Sequence, residues 1–208
     1  MSIKIISLYL SLCMALLTGT GCAPAAEEPI QIKITLENGS EMIGELYPDI
    51  APISVENFVN LIEEDFFDGL IFHRVIPGFM IQGGGYDATF YDGNFNSKET
   101  ATIKGEFSSN GVTNDLKHTR GVISMARTNQ PNSASSQFFI MHEDSPFLDG
   151  EYAAFGKITE GLDVVDAIAT GETTTLDGKV TFEGQEYDNQ MSDVPVEPVV
   201  IKSIDLVE

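Results

Sequence analysis

Tryptophan is absent from the 208 residues, histidine occurs three times and cysteine twice. Cys13 lies inside the apolar run Ile5 to Leu17 and Cys22 follows that run closely, so the rest of the chain carries no thiol. Disulfides, thiol catalysis and cysteine-based metal sites are thereby excluded from it. His73, His118 and His142 show no metal-ligand spacing and read as structural, and no metal or other cofactor is expected. Positive charge is scarce, with 11 Lys and Arg against 32 Asp and Glu, for a formal net charge of −21. Such a field repels phosphates and anionic headgroups, which argues against nucleic acid as a partner; it also suits the solubility of a secreted protein. No Gly-x-Ser-x-Gly stretch supplies a hydrolase nucleophile. Long apolar runs are lacking too, since Ile5 to Leu17 is too short to span a bilayer as a helix.

What that run does fit, preceded by Lys4, is a secretory signal peptide over residues 1–21. Thr18-Gly19-Thr20-Gly21-Cys22 resembles the lipobox of bacterial lipoproteins, in which the cysteine becomes the lipidated first residue. Gly19 stands where a larger aliphatic residue is usual, and plain secretory cleavage nearby is the alternative. The expected location is the extracytoplasmic face of a bacterial cell membrane, with Cys22 as the lipidation site. Residues 22–29 are then the lipidated Cys and a small-residue tether, Ala23 to Pro29, reaching at most about 25 Å, ahead of one domain over residues 30–208.

Hydrophobic content of 42% over the whole chain, with all 13 Phe inside that domain, provides for one proper core. Ile30, Ile32, Ile34 and Leu36 alternate with polar residues as in a half-buried strand, Asn38-Gly39 signals a hairpin, and Met42 to Leu46 returns. Ser54 is a candidate N-cap for a helix to about Glu64 with Val55, Phe58, Val59 and Ile62 as its apolar stripe. Tyr86 to Asn110 reads as surface loop anchored by Phe90, Tyr91, Phe95 and Phe107. Further strands are expected over Val122 to Ala126, Gln137 to Met141, Tyr152 to Ile158 and Val199 to Leu206, with a second helix from Gly161 to about Thr170. Residues 171–198 read as a long acidic loop with a short hairpin around Lys179 to Phe182. Some eight antiparallel strands with only two helices and no strand–helix alternation predict an all-β-dominated fold, a closed eight-stranded antiparallel β-barrel capped by two α-helices.

The stretch Leu70 to Gly85 has the composition of a site. Leu70 to Ile76 is a β-branched and aromatic strand, Pro77-Gly78 presets a turn, Phe79 to Gln82 runs back, and Gly83 to Gly85 ends it. Alternation puts Phe72 and Arg74 on one face and Met80 and Gln82 on another, with Phe79 beside the turn free of that rule. A guanidinium, a carboxamide, a thioether and a phenyl ring are thus available to one shallow pocket. An amphipathic hairpin whose Arg74 reaches into water is the competing reading of these residues.

A second set of motifs decides between them. Gly121-Val122-Ile123-Ser124-Met125-Ala126-Arg127, then Ser136-Gln137-Phe138-Phe139-Ile140, Leu148-Asp149-Gly150 and Phe155-Gly156-Lys157-Ile158, together with the first stretch, closely resemble the cyclophilin family of peptidyl-prolyl isomerases. The resemblance runs from about Ile30 to Leu206 and implies the same barrel. It also implies roles: Arg74 and Gln82 catalytic; Phe79, Met80, Phe139 and Leu148 forming a proline slot; Met125 and the backbone of Arg127 along the peptide; Ala126, Gln137 and Phe147 at the rim. Phe147 stands where many members have Trp, and Tyr152 where a His is frequent beside the slot. These departures bear on inhibitor affinity and sequence preference, so cyclosporin is expected to bind weakly. Proline-containing peptides and unfolded exported proteins are the expected partners, and a monomer is expected. A module that holds proline segments without turning them over, or a chaperone, is the alternative function.

If Cys22 carries the anchor, Cys22→Ser should move the protein from the membrane to the soluble fraction. Wild-type protein found soluble, with no acyl mass on its N-terminus, would remove the lipoprotein reading.

Overall fold

The computed structural model describes residues 27–98 and 100–207; the signal peptide, Cys22 and most of the tether lie outside them. The first hairpin forms as the alternation requires, from β1 (Ile30–Leu36) and β2 (Glu41–Leu46), with Ile32, Ile34, Leu36, Met42 and Leu46 pointing into the core. Gly39 takes the left-handed conformation at its turn (φ 86°), which a side chain would resist.

Helix α1 (Pro52–Glu63) follows, and its start differs from expectation: Ala51 is the N-cap and Pro52 opens the first turn. Ser54 sits inside that turn, its N–H and hydroxyl donating to the carboxylate of Glu106 at 2.8 and 2.7 Å, while Ile53 N–H donates to the same group at 3.0 Å. A buried carboxylate from a distant loop thus satisfies the free N–H groups and faces the positive end of the helix, which a serine cap would otherwise have done.

Strands β3 (Leu70–Ile76) and β4 (Met80–Asp87) are followed by β5 (Val122–Met125), β6 (Phe138–Met141) and β7 (Ala154–Glu160), then helix α2 (Leu162–Ala169). A two-stranded ribbon, β8 (Thr173–Phe182) and β9 (Gln185–Pro195), precedes the last strand, β10 (Ile201–Leu206). Among the described residues, eight strands form one antiparallel sheet in the order β10-β1-β2-β7-β5-β6-β4-β3. Its two edges nearly close on each other, joined where Gly69 N–H donates to Ile201 C=O and Phe72 N–H to Val199 C=O, each at 2.9 Å. Inside, Phe58 of α1 packs on Phe67, Phe138 and Phe155 with ring centroids 4.8 to 5.3 Å apart. Such aromatic pairs add about 0.5–1.5 kcal/mol each beyond their burial.

Gly83 to Gly85 does not end β4; the strand continues through it. A Cβ at Gly83 would come 3.0 Å from Ile71 C=O, and one at Gly85 would come 2.6 Å from the Gln137 carboxamide. The glycines therefore admit close neighbours rather than break the ladder.

The acidic segment is also more ordered than its composition suggests. It pairs along nearly its whole length as β8 and β9, turning at Glu183-Gly184 with φ of 49° and 76°. Both faces of most of this ribbon meet solvent, so no hydrophobic alternation marked it. Leu176, Met191 and buried Val194 seat it on a satellite core with Ile71, Phe90 and Phe95. That core also takes Phe90, Phe95 and Tyr91 of the anchors expected in the loop after β4, while Phe107 is buried in the main core.

His73, on β3, is buried edge-on against Tyr86 at 4.6 Å, with no hydrogen-bond partner for its Nδ1. Burial, seconded by the adjacent Arg74 cation, pushes its imidazole down to about 3. Unfolded chain takes up a proton near pH 6.5 that the folded chain refuses until about pH 3, so across that window this group's contribution is lost as pH falls. In urea unfolding, the stability of His73→Phe relative to wild type should rise as pH drops from 6 to 4.5, by about 1.4 kcal/mol per unit. A pH-independent difference would mean that His73 is not held neutral.

Candidate active site

Arg74 and Gln82 lie directly opposite each other across β3 and β4. The ladder slips between Phe72 and Arg74, so Phe72 is wholly buried in the barrel while Arg74 emerges on its outer wall. Strict alternation would have kept both on one face; the irregularity separates them. Across the next ladder Gln82 pairs with Phe139 and Met80 with Met141. These neighbours border a cavity of about 160 Å³ lined by Arg74, Phe79, Met80, Gln82, Ala126, Arg127, Phe139, Leu148 and Tyr152. It is smaller than the roughly 300–1,000 Å³ of most small-molecule sites, which suits one small apolar ring with the rest of its chain outside. A hollow of about 630 Å³ between the β1–β2 turn and α2 is larger, but no cation lines it.

Three of the expected residues fall outside this cavity. Met125 is 1% exposed and packs into the barrel core, because on β5 its neighbours Ser124 and Ala126 take the outward positions. It backs the site and does not line it, which corrects the position expected for it. Gln137 accepts a hydrogen bond from Gln82 Nε2 at 2.9 Å and belongs to an adjoining hollow of about 270 Å³ with Ser97, Thr128, Ser133 and Ser135. That bond uses one of the two amide protons of Gln82 and leaves the other free. Phe147 is 69% exposed and stacks on Phe79, ring centroids 5.6 Å apart.

The apolar floor is held from behind. Phe139 meets Tyr152 edge-on at 5.8 Å and lies parallel to the ring of His118 at 6.1 Å. His118 Nδ1 faces Asp149 Oδ1 and its Nε2 faces Ser124 Oγ, each at 3.1 Å. Burial lowers the His118 pKa against the opposing pull of Asp149. In the neutral ring Nδ1–H therefore donates to the carboxylate and Nε2 accepts the serine hydroxyl. Sequence reading treated His118 as structural without finding these partners, and no local spacing connects the three.

Arg127 is fully engaged by its own surroundings. Its Nε and Nη2 donate to Glu151 C=O at 3.0 and 2.8 Å and its Nη1 to Thr128 C=O at 2.9 Å, while the guanidinium lies over the rings of Tyr152 and Phe107 at 4.5 and 4.9 Å. Among the described residues no hydrogen bond takes up its backbone N–H or C=O. Arg74 has a different partner, Asp193 of β9, whose Oδ2 lies 3.6 Å from its Nε. Among the described residues no group of three His, Cys, Asp or Glu is placed to hold a metal.

A cation and an amide at the mouth of a small apolar slot could serve several kinds of ligand, and likeness to known proteins narrows the choice. Residues 31–206 match the family model described as cyclophilin type peptidyl-prolyl cis-trans isomerase/CLD. The chain is 45% identical over 170 residues to a peptidyl-prolyl cis-trans isomerase of Acinetobacter baylyi, covering 78% of each chain. It is 38% identical over 200 residues to peptidyl-prolyl cis-trans isomerase A of Dickeya dadantii, covering 92% of each. Among solved structures, a cyclophilin type peptidyl-prolyl cis-trans isomerase of Cryptosporidium parvum superposes with a TM-score of 0.68 at 27% identity, over 87% of this chain and 99% of that one. A second structure of that protein, obtained in the presence of the dipeptide Ala-Pro, gives a TM-score of 0.66 at 28% identity over 86% and 99%. Barrel, motif order and near-full-length similarity agree: the chain belongs to the cyclophilin-type peptidyl-prolyl cis-trans isomerases.

Proposed function

We propose that this isomerase turns X-Pro bonds of exported proteins at the extracytoplasmic membrane surface, using Arg74 as the catalytic donor. The observation that carries the catalytic part is the pairing of Arg74 with Gln82 at the mouth of a slot made by Phe79, Met80, Phe139 and Leu148. Cys22 and the short tether behind the apolar leader support the location.

Rotation about an X-Pro bond is slow because amide resonance must be broken, at a barrier of about 18–20 kcal/mol. Raising an exchange that takes tens of seconds to the order of 10³ per second needs about 7 kcal/mol off that barrier. No bond is made or cut, so non-covalent contacts suffice. As the bond twists, the prolyl nitrogen regains a lone pair, and a held guanidinium can donate to it while gaining little from the planar ground state. The slot takes the proline ring in both states; burying its three methylenes contributes about 2 kcal/mol, mostly as uniform binding. The free amide proton of Gln82 holds the carbonyl before the proline, and the unpartnered backbone of Arg127 takes the chain beyond it. Ala126, Gln137 and Phe147 border the peptide at the rim.

Arg74→Ala should lower kcat/KM on an Ala-Pro peptide by about 10²–10³ with a much smaller change in affinity, as for removal of one preorganised donor. Phe139→Ala should weaken both. NMR exchange spectroscopy separates the two quantities, and near-wild-type exchange in a folded Arg74→Ala would leave a proline-binding module or another catalytic group. Cyclosporin should inhibit weakly, because exposed Phe147 offers less area than Trp and no indole N–H. Phe147→Trp should strengthen inhibition roughly ten- to hundredfold, equivalent to about 1–3 kcal/mol of packing and one hydrogen bond.

A further inference from the structure

We propose that Asp193, on the acidic ribbon, is a positioning residue for Arg74: its carboxylate holds the guanidinium by Nε and leaves both Nη groups for the peptide. The proposal rests on the reading of Arg74 as the donor to the prolyl nitrogen.

Asp193 is aimed by the backbone. It sits at φ 60°, in the left-handed region that Asp tolerates better than most residues. The β8–β9 register shifts there: Thr174 pairs with Val194, but Leu176 pairs with Met191, so β9 carries an extra residue. A bulge of this kind turns a side chain out of its ladder, a device common beside active sites. Here it points the carboxylate at β3, where Nε of Arg74 lies 3.6 Å from Oδ2 as an ion pair. The Ser192 hydroxyl, 3.3 Å from the same oxygen, donates to it.

The platform behind Asp193 is anchored. Its neighbour Val194 is wholly buried, Tyr91 hydroxyl donates to Pro195 C=O at 2.9 Å, and Phe95 and Lys179 tie the loop after β4 to β8 by backbone bonds of 2.8 Å. Arg74 by contrast has 42% of its side chain exposed, and unpaired it would spread over many rotamers. Pairing at Nε restricts that freedom without discharging the cation, since a guanidinium does not deprotonate in proteins.

The test uses Asp193→Asn and Asp193→Gly, both compatible with positive φ, in the wild-type and Arg74→Ala backgrounds. Because the pair is partly exposed, each should lower kcat about two- to fivefold on an Ala-Pro peptide, with KM and the melting temperature unchanged. In the Arg74→Ala background the same substitutions should change nothing, as expected of a residue that acts through Arg74. Three results would overturn the proposal: full activity in both Asp193 variants while Arg74→Ala is impaired, increased activity, or an equal loss with and without Arg74. Undiminished exchange in Arg74→Ala alone would instead remove the catalytic reading on which it stands.

Discussion

On the proposed reading a guanidinium acts on a passing peptide only where it is partly withdrawn from water and held still, and the contacts around Arg74 bear on that requirement. The slip in the β3–β4 ladder brings Arg74 outward while Phe72 stays in the core. Gly83 and Gly85 let β3 and Gln137 approach closely, and the Gln137 carboxamide then holds Gln82 opposite Arg74. Phe139 sits against a neutral His118 whose two ring nitrogens are both occupied, which keeps the floor of the slot in place. On that reading, removing any of these supports would leave the cation present but less well placed, and catalysis by preorganised dipoles depends on placement.

The formal charge of −21 makes that placement an electrostatic matter as well. Cations are few, and those near the site are each tied to a defined acceptor: Arg74 to Asp193, Arg127 to the Glu151 and Thr128 carbonyls, Arg120 to Asp166 through both ends of its fork. Elsewhere carboxylates dominate the surface. One acidic side chain was recruited inward, Glu106, which caps α1 and ties the loop carrying it to one end of the barrel.

How far these features were legible in the sequence depended on how local their causes are. β1 and β3 match their expected limits, and apart from β4, which continues through Gly83 to Gly85, the other barrel strands and both helices fall within a few residues, because alternation, turn residues and apolar stripes are written in adjacent positions. The site residues were legible only through motif resemblance, since their meeting depends on pairings between distant strands. Ser54 as a cap and Gly83 to Gly85 as a stop were reasonable local readings. Glu106 and Gln137 decided them otherwise through contacts remote in sequence, and Met125, placed by motif resemblance, turns into the core. The ribbon was expected only as a short hairpin around Lys179 to Phe182, because a strand pair with two wet faces has no periodic signature, and Asp193 was missed because a bulge aims it.

The engagement of Arg127 carries a consequence for which proteins this enzyme can serve. With three of its N–H groups donating to main-chain carbonyls and the rings of Tyr152 and Phe107 packed against it, the cation beside the slot has little left to offer a visiting side chain. Apart from Arg74 itself, what the slot presents to an incoming chain is backbone, amide and hydrocarbon, groups that every polypeptide can meet alike. On the proposed reading, such a surface answers to the geometry of one bond more than to the side chains around it.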